Sequence, residues 1–176
     1  MLAPEIAKKS WPVAGIVMLA PSGRKLPQTM VEQARFLSQG SPAELAEIER
    51  KADQISAHKM PANEMFLGVP ASYFYDLDAR DEVAIAKTLD VPILILHGGR
   101  DYQVIDQDIQ HWQDGLKGVA KVKVETFPQL NHLFIAGEGK PGPAEYQNPG
   151  HVDAPVIDAI ANFIAAPGGK SSAATK

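Results

Sequence analysis

V-P-I-L-I-L-H-G-G-R-D-Y-Q-V, residues Val91 to Val104, decides the fold. Its continuous apolar run reads as a strand buried on both faces, the pattern of a parallel sheet, and Gly98-Gly99 then turns the chain and delivers Asp101 just past the strand's carboxyl end. Further on, F-P-Q-L-N-H-L-F, Phe127 to Phe134, places His132 in the same way after the alternating stretch Val122 to Phe127. Open parallel sheets hold their chemistry on loops beyond the carboxyl ends of the strands.

Working outward, Val13 to Ala20 is another apolar run and reads as a strand buried on both faces. Lys8 and Lys9 precede it, but Pro12 at its entrance and Pro21-Ser22-Gly23 at its exit suit a strand and turn better than a signal peptide. Ala3 to Lys9 reads as a short helix. From Leu26 to about Leu89 the pattern is helical, with Ser41-Pro42-Ala43-Glu44 giving an N-cap, a first-turn proline and a capping-box glutamate ahead of Leu45, Ile48, Ala52 and Ile55. Ile105, Ile109, Trp112 and Leu116 mark one face of a further helix. Val152 to Ala166 is a closing helix capped by Asp153, with Val156, Ile157, Ile160, Phe163 and Ile164 expected inward. The alternation predicts an α/β fold of about three parallel strands with flanking helices and a helical insertion. Residues 1–25 and 90–166 form the core, 26–89 the insertion, and 167–176 a disordered tail.

Composition narrows the function. The chain has 176 residues, 45% of them hydrophobic and 22% charged, and a net charge of -4, which suggests neither a nucleic-acid surface nor a basic membrane face. No run is long and apolar enough for a membrane span, and without a clear signal peptide a soluble, cytoplasmic location is favoured. There is no cysteine, which excludes disulfides and thiolate chemistry. No metal-ligand spacing or phosphate-cradling glycine loop occurs, so no metal or cofactor is implied; Gly137-Glu138-Gly139-Lys140 followed by Pro141 reads as a surface loop.

A neutral imidazole can take a proton from a hydroxyl nucleophile when a carboxylate fixes its tautomer, a pairing that fits His132 and Asp101. Either residue alone would more simply close a turn or cap a loop. Together, in the order acid then histidine and each after a parallel strand, they read as two members of a hydrolytic triad. His97 reads as a packed strand-end residue, His111 as solvated and His58 has no assignment, while His151 approaching the site is the less favoured alternative. Ser22 follows a strand, but Arg24 and Pro27 do not suit a nucleophile elbow; Ser72 lies among aromatic residues that suit a pocket or a core. Phe66, Tyr73, Phe74 and Tyr102 are the candidate pocket residues.

These segments, with P-A-E-Y-Q-N-P-G-H-V after the histidine loop, resemble the C-terminal part of bacterial α/β-hydrolase-fold esterases, the serine aminopeptidase-like and dienelactone hydrolase-like relatives. The resemblance covers nearly the whole chain and implies a partial α/β-hydrolase fold in which residues 26–89 are a helical cap. By the same resemblance Asp101 is the triad acid and His132 the triad base. It also implies a serine hydrolase acting on small-molecule carboxylic esters, or amides, through an acyl-enzyme intermediate. The sequence departs from that pattern in having no G-x-S-x-G: the nucleophile elbow would lie before Met1. Turnover by this chain alone is then not expected. The alternative is a noncatalytic half-enzyme or interaction module that pairs with itself as a homodimer, or with a separate N-terminal fragment, through the exposed edge of the first strand. An independent enzyme using water activated by Asp101 and His132 is disfavoured, because no oxyanion stabiliser is visible.

Overall fold

The computed structural model describes residues 2–10, 12–37 and 40–166, and the expected disordered tail, 167–176, lies outside them. The described chain divides into two compact units, residues 1–21 with 82–176 and residues 22–81.

The first unit is built on a parallel sheet of β1 (Ile16–Leu19), β4 (Ile93–Gly98) and β5 (Val122–Phe127), in the order β1-β4-β5. Ile16 pairs with Ile93, and Ile93 in turn with Val122. Every residue of β4 is buried, as its continuous apolar run requires of a central strand covered on both faces. Side chains alternate. Ile16, Met18, Ile93 and Ile95 pack with Ala7 of α1 (Ala3–Lys9), Ala86 of α5 (Glu82–Thr88) and Ile109 and Trp112 of α6 (Asp106–Gly115). Val17, Leu94 and Leu96 face the other way, against Val156, Ile160 and Phe163 of α7 (Ala154–Ala165). Helices on both faces of the sheet are the layered arrangement that the alternation of elements predicts.

Two expectations need correction. The first strand covers only Ile16–Leu19, because β4 meets it from the Pro92 carbonyl, which accepts from Ile16 N, to the Leu96 carbonyl, which accepts from Ala20 N. It is not buried on both faces throughout, since Leu19 is 50% exposed. On α7, Asp153 caps the first turn as expected, its carboxylate accepting from Ala154 N at 3.0 Å. Ile157 and Ile164, however, face solvent, with 55% and 62% exposure. The helix is apolar over more than the one stripe that Val156, Ile160 and Phe163 need, so periodicity alone does not say which stripe is covered.

The second unit contains α2 (Leu26–Phe36), α3 (Pro42–Ser56), a hairpin of β2 (Met65–Phe66) and β3 (Val69–Pro70), and α4 (Ala71–Asp78). Its core is Val31, Ala52, Ile55, Met60, Phe66, Ala71 and Phe74. The capping box of α3 is formed in full: Ser41 Oγ accepts from Glu44 N, and the Glu44 carboxylate accepts from Ser41 N at 2.6 Å. Ser41→Ala is expected to lower the stability of this unit by about 1 kcal/mol in urea unfolding, whereas Ser41→Asp, which keeps an acceptor, stays near wild type. The hairpin is an addition to the helical pattern read from sequence. Leu67 and Gly68, both at positive φ, make the two-residue turn that matches strand twist. Helix α5 falls in the sheet's unit, so this unit ends at Asp81 against the expected 89; Ala86 is wholly buried beside Ala7 and Val91.

Candidate active site

Two glycines let the site assemble. A Cβ on Gly98 would lie 2.5 Å from the carbonyl oxygens of both Leu130 and Asn131, and one on Gly99 would lie 2.8 Å from Pro128 Cα. With no side chains there, the end of β4 lies directly against residues 127–131. Gly99 N donates to the Phe127 carbonyl at 2.8 Å and Arg100 N to the Leu130 carbonyl at 2.9 Å. The loop carrying the aspartate is thereby sewn to the loop carrying the histidine.

Asp101, whose side chain is fully buried, divides its carboxylate between two tasks. Oδ1 accepts from the backbone amides of Gln103 and Val104, at 2.8 and 2.9 Å, which fixes the plane of the group. Oδ2 accepts from His132 Nδ1 at 2.7 Å. A carboxylate partner there requires the proton on Nδ1, so Nε2 is the nitrogen with a lone pair for proton transfer. His132 is 31% exposed, enough for that nitrogen to meet a reactant. Its pKa is raised from the ordinary histidine value by the hydrogen bond to Asp101, against the opposing effect of burial, with the aspartate's charge adding to the rise. The pair therefore stabilises the fold below the unfolded-state value of about 6.5, and this contribution is lost as pH rises through the higher folded-state pKa.

The histidine loop has its own support. Asn131, only 1% exposed, uses Oδ1 to accept from Leu133 N at 2.9 Å and Ile135 N at 3.2 Å, while its backbone N donates to the Ile135 carbonyl at 3.0 Å. That turn carries Phe134 at φ +58, a conformation rarely adopted by a bulky side chain, and Phe134 is buried edge-on to Phe127.

A third segment reaches the same place. The Arg100 guanidinium donates to the Glu145 carboxylate and, at 3.1 Å, to the Gly139 carbonyl. Gln103 Nε2 donates to Tyr146 Oη at 2.9 Å, and the Tyr102 and Tyr146 rings stack with centroids 5.9 Å apart. Burial pushes the Tyr146 phenol up to about 12, with the charge of Asp101 acting in the same direction.

The structure thus brings together Asp101, His132 and Tyr102 among the residues picked out in the sequence. Phe66 and Phe74 are 1% and 0% exposed in the core of the second unit, packed edge to face, and Tyr73 beside them is 49% exposed. His97 is 1% exposed at the end of β4, with Nε2 3.2 Å from Asp106 Oδ1. His111 is exposed on α6 and His151 is exposed ahead of α7, while His58 stacks on Tyr75 within the second unit. Ser22 Oγ lies 3.3 Å from both Thr29 Oγ1 and the Arg24 carbonyl. Sequence reasoning passed over Asn131, Arg100, Glu145 and Tyr146. The consecutive glycines were visible, but their purpose is a tertiary contact. Among the described residues no group of three or more histidine, aspartate or glutamate side chains is placed to hold a metal ion, and no helix is long and apolar enough to cross a membrane.

Comparison with known proteins gives three findings. The model of the dienelactone hydrolase family matches residues 61–155, more than half of the chain. Esterase EstD of Thermotoga maritima is 45% identical over 165 residues, covering 93% of this chain and 40% of that protein, so the chain spans well under half the length of this relative. The crystal structure of a "Putative Dienelactone Hydrolase" from Klebsiella pneumoniae subsp. pneumoniae overlays with a TM-score of 0.37 at 14% identity, covering 88% of this chain and 85% of that one.

Proposed function

Because the chain belongs to the dienelactone hydrolase family, we propose that it carries the acid and the base of a serine-type hydrolase acting on small-molecule carboxylic esters. The observation that carries this reading is the 2.7 Å bond from His132 Nδ1 to an aspartate held on its other oxygen by two backbone amides. The name of the 45%-identical relative, an esterase, points to the same substrate class.

In this reading His132 Nε2 accepts the proton of an attacking hydroxyl while Asp101 holds the tautomer and stabilises the imidazolium. The hydroxyl oxygen forms the acyl-enzyme bond as the alkoxide leaves, and His132 returns the proton to that leaving group. Water then repeats the sequence to release the acid. Tyr102, next to Asp101 in the chain, faces the substrate in this reading. The hydroxyl nucleophile is assigned to polypeptide outside this sequence on the ground that no G-x-S-x-G occurs here.

Hydrolysis of a p-nitrophenyl ester tests the proposal. The chain by itself is expected to give no turnover above buffer and no labelling by a fluorophosphonate. Fused to a family segment bearing G-x-S-x-G, it should gain both and lose them on His132→Ala. Stoichiometric, His132-dependent labelling of the chain alone would overturn the assignment of the nucleophile, and a fused enzyme indifferent to His132→Ala would overturn that of the base.

A second reading, a noncatalytic module that pairs through its sheet, draws on β1 at the edge of the described sheet and on the exposure of Leu19, Ile6, Ile157 and Ile164. Sedimentation separates the two: this reading needs a chain that associates with itself or depends on a separate N-terminal fragment, and it is lost if the chain is a monomer that melts cooperatively.

A further inference from the structure

We propose that Arg100, Glu145 and Tyr146 form a latch that positions the Asp101 loop against His132, making residues 137–147 a positioning element of the acid–base pair. The inference rests on the reading of that pair given above and goes beyond it in naming what holds the acid in place.

Asp101 has a neighbour on each side tied to the same distant segment. Arg100, immediately before it, bonds to Glu145 and to the Gly139 carbonyl, and the two charged side chains are only 14% and 10% exposed. Tyr102, immediately after it, stacks on Tyr146, and Gln103 bonds to the Tyr146 hydroxyl. Glu145 and Tyr146 are consecutive on the short 3-10 turn Pro143–Gln147, so one turn is tied to both sides of the aspartate.

The segment is shaped for this contact. A Cβ on Gly137 would lie 2.2 Å from Glu145 Oε1 and 2.8 Å from Arg100 Nε, so a side chain there would press on the ion pair that the loop closes over. Arg100 Nε and Glu145 Oε2 are buried with no hydrogen-bond partner of their own, so each charge depends on the other for compensation. Opening such a pair leaves an uncompensated buried charge, which drives the loops to rearrange. A displacement of about 1 Å is enough to disrupt a catalytic hydrogen bond. None of the latch residues needs to touch substrate; they act through Asp101.

The test is an NMR titration of the His132 imidazole in this chain, assigned against His132→Gln, in wild type, Arg100→Met and Tyr146→Ala. Amide spectra report whether each variant remains folded. Removing the Arg100 cation would by through-space electrostatics alone raise the His132 pKa, whereas loss of the Asp101 contact lowers it. The latch predicts that in both variants the His132 pKa falls towards the ordinary histidine value. It also predicts that the neutral ring shifts from the Nδ1–H towards the Nε2–H tautomer in its nitrogen shifts. If Arg100→Met does not fold, Tyr146→Ala, which changes no charge at neutral pH, decides alone. A native-like variant that keeps the raised pKa and the Nδ1–H tautomer overturns the latch and leaves the acid–base pair standing. An unshifted His132 in wild type overturns the pair itself, and the latch with it.

Discussion

Asp101→Asn, placed in a polypeptide that also supplies the nucleophile, is expected to lower kcat by about 10⁴-fold while leaving the melting temperature little changed. The fold survives because the asparagine Oδ1 can still accept from Gln103 and Val104, the two bonds that set the plane of the group. What changes is the side facing His132. An amide NH₂ there donates to Nδ1, forces the proton onto Nε2 and leaves no lone pair to take a proton from the nucleophile. The wild-type rate should rise with pH through the raised His132 pKa, because the neutral ring is the base. A ten-fold loss or less in the variant would place the proton acceptor elsewhere.

Gly98→Ala is expected to destabilise the first unit by about 3 kcal/mol in urea unfolding. The added methyl would meet two carbonyl oxygens at 2.5 Å, and these are backbone atoms of the histidine loop with no rotamer in which to retreat. Gly118→Ala is the contrasting case. Gly118 has φ +80 with nothing within 4 Å of the added Cβ, so its cost of about 1 kcal/mol comes from backbone conformation alone. Because the Gly98 clash acts on residues 130–131, it should also pull His132 from Asp101 and lower the His132 pKa, which Gly118→Ala should not do. Equal stability of the two variants would contradict the close approach of β4 to the histidine loop.

Much of this site was legible in the sequence for a physical reason. A strand covered on both faces must be apolar throughout, so the run Val91 to Leu96 reads as one, although the strand itself lies two residues further on, at Ile93–Gly98. The same holds for Ser41 and Asp153, whose capping chemistry is local. Elsewhere the deciding information lies far along the chain. The length of β1 is set by where β4 begins to pair, and the exposure of Ile157 and Ile164 by which stripe of α7 finds a partner. Phe66 and Phe74 had the composition of a pocket and occupy a core, since aromatic side chains suit either. Arg100 and Glu145 meet across 45 positions of sequence, and nothing near either residue foretells the contact.

Titration of the His132 imidazole in wild type and Asp101→Asn decides whether Asp101 and His132 act as one acid–base unit. If they do, the wild-type pKa lies above the ordinary histidine value, with the proton of the neutral ring on Nδ1, and the variant has a lower pKa with the proton on Nε2. The same pKa and the same tautomer in both proteins would mean that the two residues are not coupled.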